Sequence, residues 1–181
     1  RFYKDSLHTN HFTFSLLTRK NSQHDFQEVS ILSQDVIDDW SGVEDFSGEF
    51  LAGNRLTETW VGIGYSRNLS KMTGIGITQF VAVRNHEVRN QTIAQAVNNQ
   101  GLGQTGILID NWKYTNIRLL WKIGFISREG NLSYGVTLTT PSIDITGNGQ
   151  YFFNRSLMGS AEDPLLISGA NEDLPVSYRS P

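Results

Sequence analysis

The chain has 181 residues, a net charge of −3 and no cysteine, with an isoelectric point near 5.8 and a mean hydropathy of −0.31. The length suits one ordinary domain, the acidic balance excludes a nucleic-acid binder working through a basic surface, and the lack of thiols excludes a disulfide framework or a thiolate metal site. No run approaches the roughly 18 apolar residues of a membrane helix, while a membrane β-barrel stays open because its strands carry only alternating hydrophobicity.

The first element is "HFTFSLLTR", where Phe12, Phe14 and Leu16 share one face and His11, Thr13, Ser15 and Leu17 the other. A long polar and acidic stretch, 21–56, follows. Inside it "DFQEVSILSQDVIDDW" repeats apolar residues at three- and four-residue spacing (Phe26, Val29, Leu32 or Ser33, Val36, Trp40), which predicts a short amphipathic helix. "TETWVGIGYSR" then alternates Val61, Ile63 and Tyr65 against Trp60, Gly62, Gly64 and Ser66. After the turn "NLSK", "MTGIGITQFVAVRN" sets Ile75, Ile77, Val81 and Val83 against Gly74, Gly76, Thr78, Phe80 and Ala82.

A second long connection is expected over 86–112. Next comes the plainest hairpin of the chain, "YTNIRLLWKIGFISREGNLSYGVTLTT". Ile117, Leu119, Trp121, Ile123 and Phe125 oppose Asn116, Arg118, Leu120, Lys122 and Gly124; past the break at 128–131, Leu132, Tyr134, Val136 and Leu138 oppose Ser133, Gly135, Thr137 and Thr139. The apolar face of this hairpin meets either a protein core or lipid. Pro141 cannot donate to a ladder and marks a bulge or the end of that contact. A third long stretch, 147–175, leads to "VSYRSP", where another strand begins.

Connections thus alternate long and short, and strands of about ten residues alternate apolar and polar, which together point to an outer-membrane barrel with short periplasmic turns near Asn68 and Gly130. Three loops of roughly 25 residues count against a compact sandwich. The fold expected is all-β: an antiparallel transmembrane β-barrel fragment of about five to six strands, with a short helix in its long external loops around Asp38, Gln100 and Glu162. Because a barrel leaves no edge in lipid, residues 1–181 read as a partial domain truncated at both ends.

The hairpin "RLLWKIGFISREGNLSYGVTLTTPSIDITGNG" and the terminal "LPVSYRSP" resemble a middle portion of the outer-membrane proteins related to FadL-type long-chain fatty-acid transporters of Gram-negative bacteria. The likeness covers residues 57–181 and is one of pattern and phrasing. It implies a monomeric barrel of about fourteen strands in the cell outer membrane, surrounded by lipid, that admits small hydrophobic molecules such as fatty acids through external loops, a plugged lumen and a lateral opening, without a cofactor or covalent chemistry. No segment of this chain corresponds to the plug, and some relatives serve as adaptors. The alternative is therefore a non-transporting adaptor or assembly barrel, or a soluble extracellular β-sandwich that acts as a binding module.

Two ligand-contact groups are expected. Val29, Leu32, Val36 and Trp40 would form a greasy helical face that captures an acyl chain, whereas Arg118 and Lys122, beside the aromatics Trp60 and Phe80, would hold a carboxylate deeper in the lumen. The plainer role for those cations is pairing with acids of other strands. "GLGQTG", Gly101 to Gly106, matches a dinucleotide fingerprint in letters only, because "ILIDNWKYTN" after it reads as extended chain rather than a helix. The carboxylates Asp35, Asp38, Asp39, Glu44 and Asp45 lack calcium-loop spacing, and His8 and His11 point to opposite faces of a strand, so no metal site is expected. Without a nucleophile motif such as G-x-S-x-G, no catalytic site is expected.

Overall fold

The structure, a computed structural model, describes residues 10–35, 37, 40–159 and 164–178. These residues build one antiparallel sheet of seven strands: β1 (Asn10–Gln34), β2 (Glu44–Asn68), β3 (Thr73–Asn98), β4 (Gly103–Glu129), β5 (Leu132–Thr139), β6 (Ile143–Gly159) and β7 (Leu165–Pro175). The order is β1-β2-β3-β4-β6-β7, and β5 pairs with β4. β5 lies against residues 122–129 of β4 and β6 against residues 104–119. The two therefore act as one long strand broken at Pro141, and Thr140 bridges the break by accepting from Trp121 N–H through its hydroxyl at 3.0 Å.

Two expectations are overturned. The sheet is open rather than closed into a barrel, since β1 and β7 are its two ends. The helix expected around 26–40 is not formed either: among the described residues there is no helix, and 26–34 continue β1 in register with β2 down to Gln34 opposite Glu44. Val29 faces one side of the sheet opposite Glu49, and Leu32 faces the other opposite Phe46, so they share no greasy face. The three- and four-residue spacing was a coincidence of a strand whose two faces are both mixed, and the pairing partner on β2 decides.

The stretches expected as long loops are likewise strand. β2, β3 and β4 run for 25, 26 and 27 residues, and four-residue turns at 69–72 and 99–102 join them. Gln100 sits in the second of these, where Asn98 Oδ1 accepts from Gln100 N–H and Leu102 N–H at 2.9 and 2.8 Å, while Asp38 and Glu162 lie outside the described residues. Gly101 and Gly130 occupy turn positions with φ of 77° and 59°, which a side chain would strain. "GLGQTG" runs from the turn at 99–102 into β4 rather than into a helix.

The two faces differ. Directly paired residues point the same way, so register defines rows across the sheet. On one face run Leu16–Val61–Val81–Leu119–Ile143, then Phe14–Ile63–Gln79–Trp121, then Phe12–Tyr65–Ile77–Ile123–Leu138. No charged side chain interrupts these rows, and most members are exposed. On the opposite face Trp60, Phe80, Ala82 and Leu120 form a buried cluster. The sheet curls around that cluster, because side chains of β1 and of the β5–β6 junction line a common cleft there.

Candidate functional site

The buried cluster carries a charged network. Glu58 and Trp60 stand two residues apart on β2 and so share a face. Register puts Arg84 across from Glu58 and Ala82 across from Trp60 on β3, then Arg118 across from Ala82 on β4. Arg118 reaches Glu58 diagonally over the small, fully buried Ala82. Its Nη2 lies 2.8 Å from Glu58 Oε2, and Arg84 Nη1 lies 3.8 Å from the same oxygen. The other oxygen, Oε1, accepts from Trp60 Nε1 at 2.7 Å and from Arg19 Nη1 at 3.4 Å. A buried carboxylate costs several kcal/mol unless partners meet its lone pairs; here each oxygen faces a guanidinium.

Local irregularities aim these groups. The β1–β2 register shifts between Thr18 and Lys20, and this bulge brings the Arg19 guanidinium carbon to 4.5 Å from the Trp60 ring centroid. A second shift between Ile117 and Arg118 sets Asp144 opposite Arg118, where Asn116 donates to its carboxylate at 2.6 Å. Tyr178, beyond β7, lies against Arg84 and Arg118, whose guanidinium carbons are 4.1 and 4.6 Å from its ring centroid. That segment is held by Val176 N–H donating to the Gly147 carbonyl at 3.2 Å. Only glycine fits at 147, since a Cβ there would collide with the Val176 carbonyl.

Beside the network lies a cleft of about 330 Å³, lined by Leu17, Arg19, Trp60, Leu120, Lys122, Thr139 and Ser142 among others. Lys122 Nζ stands 5.2 Å from the Trp60 centroid and 5.7 Å from that of Phe80. Among the described residues no carboxylate pairs with Lys122. Further along the same face His86 packs edge-on to Trp112 and Tyr114, at 4.7 and 5.5 Å between centroids. Burial, then Arg84 and Lys20, hold its imidazole below the ordinary value of 6.5. Tyr151 is pushed above the usual phenol range, first because it donates to the Asp110 carboxylate at 2.6 Å. A depression of about 380 Å³ on the other face is lined by Arg55, Glu87 and Lys113, whose mixed signs leave it without a charge preference.

Of the residues singled out from the sequence, Trp60, Phe80, Arg118 and Lys122 come together, with the Trp60 and Phe80 rings 5.4 Å apart. Val29 and Leu32 are split between faces far along β1, Trp40 sits in the connection to β2 with its N–H on the Ile37 carbonyl at 2.9 Å, and Val36 lies outside the described residues. Arg118 takes the plainer of its two roles, pairing with an acid of another strand. Glu58, Arg84, Arg19 and Tyr178 were not anticipated. A two-residue step back from Trp60 reaches Glu58, and a four-residue step on from Phe80 reaches Arg84, so alternation alone could have found both. Arg19 depends on a bulge and Tyr178 on a chain return, neither of which leaves a periodic trace.

No family model and no curated protein matches the chain. The FadL-type resemblance therefore stands on phrasing alone, and the open sheet overturns it. With it fall the closed transmembrane barrel, fatty-acid uptake through the outer membrane, the lipid and hydrophobic-ligand partners, and the outer-membrane location, all of which rested on closure into a barrel. The binding-module alternative fits the open sheet better.

Proposed function

We propose that the chain is a non-catalytic binding module of sandwich type, whose apolar face packs against a second sheet and whose charged, aromatic face is presented to a ligand. One observation carries the reading: the two faces of a single sheet are built to opposite rules. A sheet buries an apolar face against another layer, and here the three uncharged rows from Leu16 to Ile143, Phe14 to Trp121 and Phe12 to Leu138 have none over them among the described residues. The opposite face has made its own core around Trp60 and Glu58.

The second layer is a further copy of this chain. At about 4.8 Å between strands and about 6.8 Å between same-face residues, five strands and three rows span roughly 19 by 14 Å between backbone positions. With the flanking pairs Val83–Ile117 and Ile75–Phe125–Val136 and the width of the side chains, the face approaches the roughly 800 Å² which each partner gives to a standard interface. A face without charge can also meet itself across a two-fold axis without like-charge repulsion.

Sedimentation equilibrium tests this. The chain should be dimeric at micromolar concentration, and Ile77→Arg, at the centre of the third row, should make it monomeric while leaving its circular dichroism unchanged. A chain that stays monomeric, or that adsorbs to phosphatidylcholine vesicles without self-associating, would overturn the proposal.

A further inference from the structure

We infer that the cleft over Trp60 takes an organic anion in which a carboxylate is carried on a planar ring. The inference rests on the reading of this face as the one presented to a ligand, and adds the ligand's chemical class.

Charge comes first. Around the cleft Arg19, Lys20, Arg84, Arg118 and Lys122 face this side against the carboxylates of Glu58 and Asp144, while Glu28, Glu44 and Asp110 of the same face lie farther along the strands. Glu58 is already shared by Arg118, Arg84 and Arg19. The excess is therefore positive, and it sits where the cleft opens: Lys122 has no acidic partner among the described residues, and Arg19, with half its side chain exposed, gives Glu58 only one nitrogen at 3.4 Å. An anion between them would gain charge-assisted hydrogen bonds without displacing an existing pair.

Shape comes second. The floor is the buried indole of Trp60 with Leu120 beside it. Both cations lie over that indole, at 4.5 Å for Arg19 and 5.2 Å for Lys122. The indole is covered beneath them, 4% exposed, so a ring attached to an anion that bridges the two cations stacks on the half-exposed, planar Arg19 guanidinium, and an alkyl stub does not. The volume of about 330 Å³ is at the small end of ligand sites, enough for one ring with its acid group. Thr139, on the same wall, adds a hydroxyl.

The two cations deepest in the network are not the site. Arg84 and Arg118 are capped by the Tyr178 ring and committed to Glu58. The unpartnered Nε atoms of both are buried and help keep the local potential positive.

The test is calorimetric titration of the full chain with benzoate, benzamide and acetate. Benzoate should bind at least about tenfold more tightly than benzamide, which has the same ring without the charge, and than acetate, which has the charge without the ring. Lys122→Gln should remove the preference over benzamide, and Lys122→Arg should keep it. Equal affinity for benzoate and benzamide, no binding of benzoate, or a preference untouched by Lys122→Gln would overturn the inference; Thr139→Val gives a second reading of the same wall. Sedimentation of the same samples separates this failure from that of the module itself. A dimer without anion preference sinks only the ligand class, whereas a monomer that keeps the preference sinks only the two-layer arrangement.

Discussion

Each long strand has two halves, and different forces hold them. In the half through 57–68, 73–84 and 116–129, one face is apolar and the other buries Glu58, Trp60, Phe80, Ala82 and Arg118. In the half through 21–34, 44–55, 85–98 and 103–115 the ladders continue, yet both faces are largely polar. Contacts there are of the kind made by Gln27 Nε2 donating to Glu49 at 2.7 Å, or the Thr115 hydroxyl donating to Asn85 at 2.7 Å. Backbone pairing can thus prolong a strand well past the main cluster, although Glu44, Ala96 and Asn98 are buried near its far end. Net hydrogen-bond contributions of about 1 kcal/mol each are modest beside side-chain burial, so stability should concentrate in the first half.

Glu58→Gln is the most direct way to break this contrast. The substitution keeps shape but removes the charge that three guanidinium groups share, and breaking a buried ion pair costs about 3–5 kcal/mol. Glu49→Gln, in the other half, should cost about 1 kcal/mol or less. Urea midpoints for the two variants measure the difference; similar losses would show that the halves contribute alike.

A smaller effect is expected from filling space. Ala82 has no exposed surface, because the Arg118 side chain crosses it on the way to Glu58. Ala82→Leu should cost about 1–3 kcal/mol as overpacking, and should also lengthen the Arg118–Glu58 contact. Ala94→Leu, on the same strand and face but in the polar half, should stay within about 0.5 kcal/mol.

The same division decides what could be read from the sequence. Where one face is apolar and the other polar, as in "WVGIGY" or "NIRLLWKIGF", the two-residue period is plain, and the strands, their faces and the short turns at 69–72 and 130–131 are where that period puts them. Trp60, Phe80, Arg118 and Lys122 could be grouped for the same reason. Where both faces are polar, as in "RNHEVRNQTIAQ", no period survives, and the strand reads as loop. Loops that long imply an outer-membrane topology, and a chance helical spacing in 26–40 suggests a binding surface whose Val29 and Leu32 the sheet divides between its faces. Nothing in the letters announces a bulge at Arg19 or the return of Tyr178, because both depend on partners distant in sequence.

His86 stands at the border of the halves and offers a pH test. Burial and the neighbouring Arg84 and Lys20 depress its pKa from 6.5 in the folded chain. Above 6.5 the imidazole is neutral in both states and the fold keeps its full stability. As pH falls below 6.5 the unfolded chain binds a proton that the folded chain refuses, so stability declines until the folded pKa is passed. Melting temperatures through this window should fall less steeply for His86→Gln than for the parent chain. An unchanged slope would mean that His86 takes up its proton as readily folded as unfolded.

The smallest expected effect lies wholly in the polar half and sharpens the comparison most. Arg89 Nη2 and Glu87 Oε1 are 2.9 Å apart, almost the 2.8 Å between Arg118 and Glu58. Distance alone would rank the two pairs alike, and environment separates them. Arg89 keeps 71% of its side chain exposed and Glu87 37%, against 1% and 6% for Arg118 and Glu58. An exposed pair is worth about 0.2–1 kcal/mol, and much less in 1 M salt, where the screening length is about 3 Å. A double-mutant cycle with Arg89→Ala and Glu87→Ala should give a coupling in that range at low salt and none at high salt, while the cycle for Arg118 and Glu58 should hardly respond to salt. Were the Arg89 coupling to persist at high salt and the Arg118 coupling to fade, the force holding the sheet would lie in its polar half after all.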